Sequence, residues 1–203
     1  IVMRHPNPGA SVFLSKNVDS CIINAGDGTH EHPTQALLDA YSLIEKIGDL
    51  KNRNILIVGD IMHSRVALSN IFTYKKLGAN VTVCGPKSLI PKSIESLNVS
   101  VETDFRKALK NSDAVNMLRI QNERMSNSYF PSVREYVQQY GLTMHLLNSI
   151  DKKIIVMHPG PINRGVVITS EVADSDQAII LDQVENGVAI RMAIMYLLAA
   201  KLK

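Results

Sequence analysis

Five short polar segments carry the residues with chemistry to offer. Arg4 follows an apolar run at 1–3, Gly26-Asp27-Gly28-Thr29-His30-Glu31-His32-Pro33-Thr34-Gln35 follows one at 21–23, and His63-Ser64-Arg65 follows one at 54–58. Arg119-Ile120-Gln121 and His158-Pro159-Gly160-Pro161 close two more, at 114–118 and 154–157. Together they offer guanidinium groups for planar anions, an imidazole and a side-chain amide. The two prolines of the last segment lack N–H donors, which leaves backbone carbonyls to accept from an amine or amide. A nucleophile is missing from this set. Neither Cys21 nor Cys84 has a basic neighbour in sequence, no Gly-x-Ser-x-Gly elbow occurs, and Ile57-Val58-Gly59-Asp60-Ile61-Met62 lacks the other glycines of a dinucleotide fingerprint. A reaction driven by positioning and charge stabilisation fits best.

Taken singly, each residue has a plainer reading. An arginine at a strand end commonly makes a surface ion pair, and His32 before Pro33 is as readily a helix cap as a ligand group. Three arginines on one rim resist that explanation. His5 and His145 lack suitable neighbours and read as structural or surface residues, and the Tyr and Phe positions read as core packing.

What must position these segments is a βαβα chain, because short apolar runs alternate with amphipathic stretches and turn residues separate them. Strands are expected at 1–3, 21–23, 54–58, 81–84, 99–102, 114–118 and 154–157, mostly Val- and Ile-rich as buried parallel strands should be. Helices are expected at about 33–47, 64–77, 92–97, 105–111, 133–140 and 184–202, with Pro33 in a first turn and Ser64 and Asp104 as N-caps. A soft boundary falls at Gly48-Asp49, and the last helix is free to pack back on the first segment. Open parallel sheets bind ligands beyond their carboxyl ends, near helix N-termini. All five polar segments lie there.

Composition narrows the class. Of 203 residues, 45% are hydrophobic and 20% charged, which excludes a disordered, collagen-like or low-complexity chain. Twenty-two Lys and Arg against 19 Asp and Glu give +3 without a basic block, so neither a nucleic-acid face nor a polybasic membrane anchor is expected. No apolar run approaches the ~18 residues of a membrane span, and no signal segment opens the chain. Two cysteines suit neither a disulfide framework nor a four-ligand zinc site, so a reduced, cytoplasmic protein is expected. Ile1-Val2-Met3 reads as a strand met partway through a chain, and upstream sequence is expected.

In order and spacing, Val2-Met3-Arg4-His5, Gly26-Asp27-Gly28 with His32-Pro33-Thr34-Gln35, Ser64-Arg65, Leu118-Arg119-Ile120-Gln121 and His158-Pro159-Gly160-Pro161 resemble the catalytic chains of the aspartate carbamoyltransferases. Ornithine carbamoyltransferases typically have Cys where this chain has Thr34, and a His-Cys-Leu-Pro motif where it has His158-Pro159-Gly160-Pro161, which favours aspartate as acceptor. The resemblance implies an α/β fold of two Rossmann-like lobes with parallel sheets, the N-terminal lobe incomplete. Residues 1–48 and 184–203 would form a partial carbamoyl phosphate lobe and 49–183 the aspartate lobe. By the same resemblance Arg4 and His32 are the catalytic pair, and carbamoyl phosphate is held by Arg4, His32, Gln35, Gly160 and Pro161. Arg65, Arg119 and Gln121 would hold L-aspartate. No cofactor or metal is called for, and a homotrimer with sites at subunit interfaces is implied. A regulatory chain or a dihydroorotase is a candidate further partner. The family's Ser-x-Arg-Thr phosphate loop, and the loop whose serine and lysine reach a neighbouring subunit, belong upstream of these residues.

Three other readings compete. His30-Glu31-His32, with His63 and His158, could mark a metal-dependent amidohydrolase, although that chemistry needs more ligands and a closed eight-stranded barrel. A dinucleotide-binding module is weaker still. A non-catalytic assembly subunit, or an inactive fragment of the same family, is the reading from a different class.

Overall fold

The computed structural model describes residues 1–120 and 132–200. Its chain forms β1 (Val2–His5), α1 (Ala10–Ser15), β2 (Ile23–Asp27), α2 (Pro33–Ile47), β3 (Asn54–Val58), α3 (Arg65–Lys76), β4 (Asn80–Cys84) and β5 (Ser100–Glu102). It continues with α4 (Phe105–Lys110), β6 (Ala114–Met117), α5 (Val133–Tyr140), α6 (Met144–Asn148), β7 (Ile155–Met157), α7 (Ser170–Ala173) and α8 (Ile180–Ala199). The strands make two parallel sheets, one of β1 and β2 and one in the order β5-β4-β3-β6-β7. The α/β expectation holds.

The larger sheet is buried on both faces because β3, at its centre, is apolar from Ile55 to Val58. Alternate side chains of β3 point to opposite sides. Ile55 and Ile57 join Leu43, Ile71 and Tyr74 in one core cluster, whereas Leu56 and Val58 join Val115, Tyr136 and Val156 in the other. Helix α2 packs between α3 and α8, which ties the small sheet to the large one. Ser64 and Asp104 cap α3 and α4 as expected, accepting from the backbone N–H of Ala67 at 3.2 Å and of Lys107 at 3.0 Å.

Several boundaries differ from expectation for local reasons. The second strand runs over Ile23–Asp27, not 21–23, because the polar stretch from Asn24 to Asp27 supports itself: Asn24 Nδ2 donates to Asp27 Oδ1 at 2.8 Å. The last helix starts at Ile180, four residues before 184, since Ile179 and Ile180 are buried and Gln183 N already donates to Ile179 O. Residues expected as a helix at 92–97 form only a 3-10 turn at Ile94–Leu97, which Asn98 ends in the left-handed region at φ 55°. The short helices α1, α6 and α7 were not expected.

Core and surface positions should respond oppositely to truncation. Leu43→Ala, at a fully buried site between α2 and the sheet, is expected to cost about 2–5 kcal/mol. Leu181→Ala, 83% exposed on α8, should stay within about 0.5 kcal/mol of wild type in urea unfolding.

Candidate functional site

A crevice opens where the strand order reverses. In β5-β4-β3-β6-β7 the chain leaves β3 towards β4 on one side and returns to β6 on the other, so the carboxyl ends of β3 and β6 border a switch point. Arg65 opens α3 after β3, and Arg119 lies two residues beyond β6. The strand ends pass closely because Gly59, at φ 130°, has no side chain; a Cβ there would lie 3.1 Å from Leu118 Cβ.

The second wall is the turn between β2 and α2. Asp27 is fully buried and gathers this turn, accepting from Gly9 N at 2.8 Å, Asn24 Nδ2 at 2.8 Å and Glu31 N at 3.2 Å, with His30 Nδ1 at 3.1 Å. Burial pushes its carboxyl up, yet these hydrogen bonds outweigh that and hold it below the ordinary carboxylate value. Gly26, at φ 112°, leaves room for Arg65, since a Cβ there would sit 2.5 Å from Arg65 Nη1. Arg65 is thereby only 5% exposed, and its Nη1 is buried without a hydrogen-bond partner.

His32 stands at the N-cap position of α2 but makes no capping side-chain bond, so the cap reading falls away. Its backbone N donates instead to Ser69 Oγ of α3 at 2.8 Å. Burial, with the charges of Arg191 and Arg4, lowers its pKa to about 4. At neutral pH the ring is uncharged and donates from one nitrogen.

Seven of the expected residues line one cavity of about 190 Å³: Arg4, His32, Gln35, Arg65, Arg119, Gly160 and Pro161. Among the described residues Ser64, Val66 and Pro159 are the others that line it, and none of the lining residues is a carboxylate. Gln121 lies outside the described residues. Three guanidinium groups lining one cavity suit a ligand, or a pair of ligands, carrying several negative charges. Arg4 also borders a cavity of about 310 Å³ that His32, Thr34 and Arg191 share. Arg191, on α8, donates to the carbonyl of Gly187 at 2.9 Å and has no sequence signal that sets it apart. Asp27 stands in the sequence reading only as part of its segment, without a role, and Asp39 is absent from it.

The amidohydrolase reading fails on the fold, which has an open five-stranded sheet where a closed barrel would be needed. His30 turns to Asp27, and among the described residues no group of three or more His, Cys, Asp or Glu is placed to hold a metal ion. No helix among them is long and apolar enough to cross a membrane.

A parallel α/β chain with an arginine-lined cavity at its switch point is a carbamoyltransferase arrangement, and comparison with known proteins agrees. Residues 1–45 match the carbamoyl-P binding domain and residues 51–198 the Asp/Orn binding domain of aspartate/ornithine carbamoyltransferases. An aspartate carbamoyltransferase catalytic subunit from Christiangramia forsetii is 68% identical over 203 residues, covering 100% of this chain and 66% of that protein. One from Flavobacterium psychrophilum matches equally, at 68% identity and the same coverage. The catalytic subunit of M. jannaschii aspartate transcarbamoylase superimposes with a TM-score of 0.81 at 34% identity, covering 99% of this chain and 66% of that one. Trypanosoma cruzi aspartate transcarbamoylase in complex with carbamoyl phosphate gives 0.81 at 27% identity, covering 96% and 65%. The chain belongs to the aspartate/ornithine carbamoyltransferase family. It spans 66% of the length of the two bacterial relatives.

His158, 1% exposed, is likewise lowered to about 4, chiefly by burial. Both histidines sit below their ordinary 6.5. Between 6.5 and about 4 the unfolded chain therefore binds protons that the native chain refuses, and stability falls as pH drops through that window. The fall in urea midpoint from about pH 7 to about pH 5 should shrink in His158→Gln.

Proposed function

We propose that the full protein to which this chain belongs transfers the carbamoyl group of carbamoyl phosphate to the amine of L-aspartate, giving N-carbamoyl-L-aspartate and phosphate. The supporting observation is the single cavity that gathers Arg4, His32, Gln35, Arg65, Arg119, Gly160 and Pro161 from both sheets. In this reading residues 1–48 and 184–203 serve carbamoyl phosphate and 49–183 serve aspartate; the matched Asp/Orn binding segment runs on to residue 198, whereas the packing of α8 on α2 supports placing 184–203 with the first lobe. An acidic acceptor is favoured over a cationic one because, among the described residues, arginines line the cavity and no carboxylate does. The close relatives are named for aspartate too.

Each residue then has a role that its chemistry suits. Arg4 meets the phosphate and the carbonyl oxygen, His32 donates to that oxygen, and Gln35 with the carbonyls of Gly160 and Pro161 accepts from the carbamoyl amide. Arg65 and Arg119 pair with the two carboxylates of aspartate, and Gln121 belongs with them. The aspartate amine attacks the carbonyl carbon, forming the N–C bond. Negative charge develops on the carbonyl oxygen against His32 and Arg4, and a neutral imidazole at the pKa position described above donates to it without repelling Arg4. The C–O bond to phosphate breaks, and the departing phosphate takes the amine proton. The homotrimer and the cytoplasmic location belong to the same proposal, resting on family resemblance.

In the full-length natural protein, His32→Ala is expected to lower kcat by about a hundred- to a thousandfold, the roughly 3 to 4 kcal/mol of one oxyanion donor. Arg65→Ala should chiefly raise KM for aspartate. Carbamoyl-aspartate formation measures both; wild-type constants in the two variants would defeat the assignment, and calorimetry with each substrate separates a substrate binder from an assembly scaffold.

A further inference from the structure

Asp39 lies one helical turn beyond Gln35 and is fully buried, yet no cation pairs with it among the described residues. Four neutral amides do. Asp39 Oδ1 accepts from Gln35 Nε2 at 2.9 Å and Gln183 Nε2 at 2.7 Å, and Oδ2 accepts from Asn70 Nδ2 at 2.9 Å and Asn116 Nδ2 at 3.2 Å. The donors come from α2, α8, α3 and β6.

A carboxylate only accepts, so any amide that bonds to it must turn its NH₂ inward. For Gln35, a residue that lines the cavity, this decides the amide's orientation: Nε2 is committed to Asp39, which leaves Oε1 as the amide atom available to accept from a ligand. Gln183 is turned in the same sense, and its Oε1 accepts from the backbone N of His158 at 3.0 Å. That bond holds the start of the segment carrying Pro159, Gly160 and Pro161 into the cavity wall. One buried carboxylate thus orients a side-chain acceptor directly and backbone acceptors through a second amide.

We infer that Asp39 is a positioning residue which sets the site to recognise an NH₂ group: by fixing Gln35 and, through Gln183, the 158–161 segment, it presents acceptors to the carbamoyl amide. The inference rests on the function proposed above. Without Asp39, Gln35 gains freedom to turn its own NH₂ into the cavity, donor against donor.

Acetyl phosphate, with a methyl group in place of the NH₂, separates positioning from support. Binding of carbamoyl phosphate and of acetyl phosphate is measured in the full-length natural protein and in Asp39→Leu, with thermal unfolding recorded alongside. The preference for carbamoyl over acetyl phosphate is expected to fall roughly tenfold to a hundredfold, the range for a lost and reversed hydrogen bond, while acetyl phosphate affinity moves far less. A lowered melting temperature with the wild-type preference retained overturns the inference, because a purely structural residue would weaken both ligands together. Should Asp39→Leu fail to fold, Gln183→Leu carries the test: it cuts the link to His158 and must lower the same preference several-fold, and an unchanged preference overturns the inference. A wild-type protein that binds neither phosphate defeats the proposed function itself.

Discussion

A carboxylate without access to water constrains everything around it. Asp39 has no exposed surface, and burial pushes its carboxyl above the ordinary value, while amides from four elements pull in the opposite direction. A buried charge lacking such partners is costly by several kcal/mol. The arrangement therefore holds only when α2, α3, α8 and β6 are docked together, and docking them also closes the cavity. Assembly of the core and assembly of the site are one event.

The cavity side of the same helices carries the opposite electrostatic problem. Arg65 is the first residue of α3, where the helix macrodipole is positive and a cation is disfavoured. It is nearly buried, with Nη1 unpartnered, and Arg4 and Arg119 face the same space. The local rule for a helix start is broken at Arg65, which is where an anion would relieve it. Gly26 contributes by absence: without a side chain, it lets the guanidinium lie against the β2 backbone.

The fold was largely legible because its central strands carry apolar residues on both faces and because α2 and α3 begin at a proline and at a serine cap. Pro33–Ile47, Asn54–Val58 and Val133–Tyr140 fall where periodicity puts them. Residues 24–27 escaped, since Asn, Gly and Asp have low strand propensity and are held by side-chain bonds instead. Helices of four to six residues such as α7 and α1 are too short to display a period. Arg4, His32, Gln35, Arg65, Arg119, Gly160 and Pro161 could be placed together because each follows a strand. Asp39 could not: Asn70, Asn116 and Gln183 lie 31, 77 and 144 residues away, and nothing local distinguishes them from ordinary polar positions.

The arginines reach the cavity from two separate sheets. Arg65 and Arg119 follow β3 and β6 of the five-stranded sheet, whereas Arg4 sits on β1, which pairs with β2 among the described residues with an irregular register between Met3 and His5. An anion held by all three guanidinium groups would therefore act as a cross-link between the sheets, and any sliding of one sheet against the other would change the spacing of the charges that hold it.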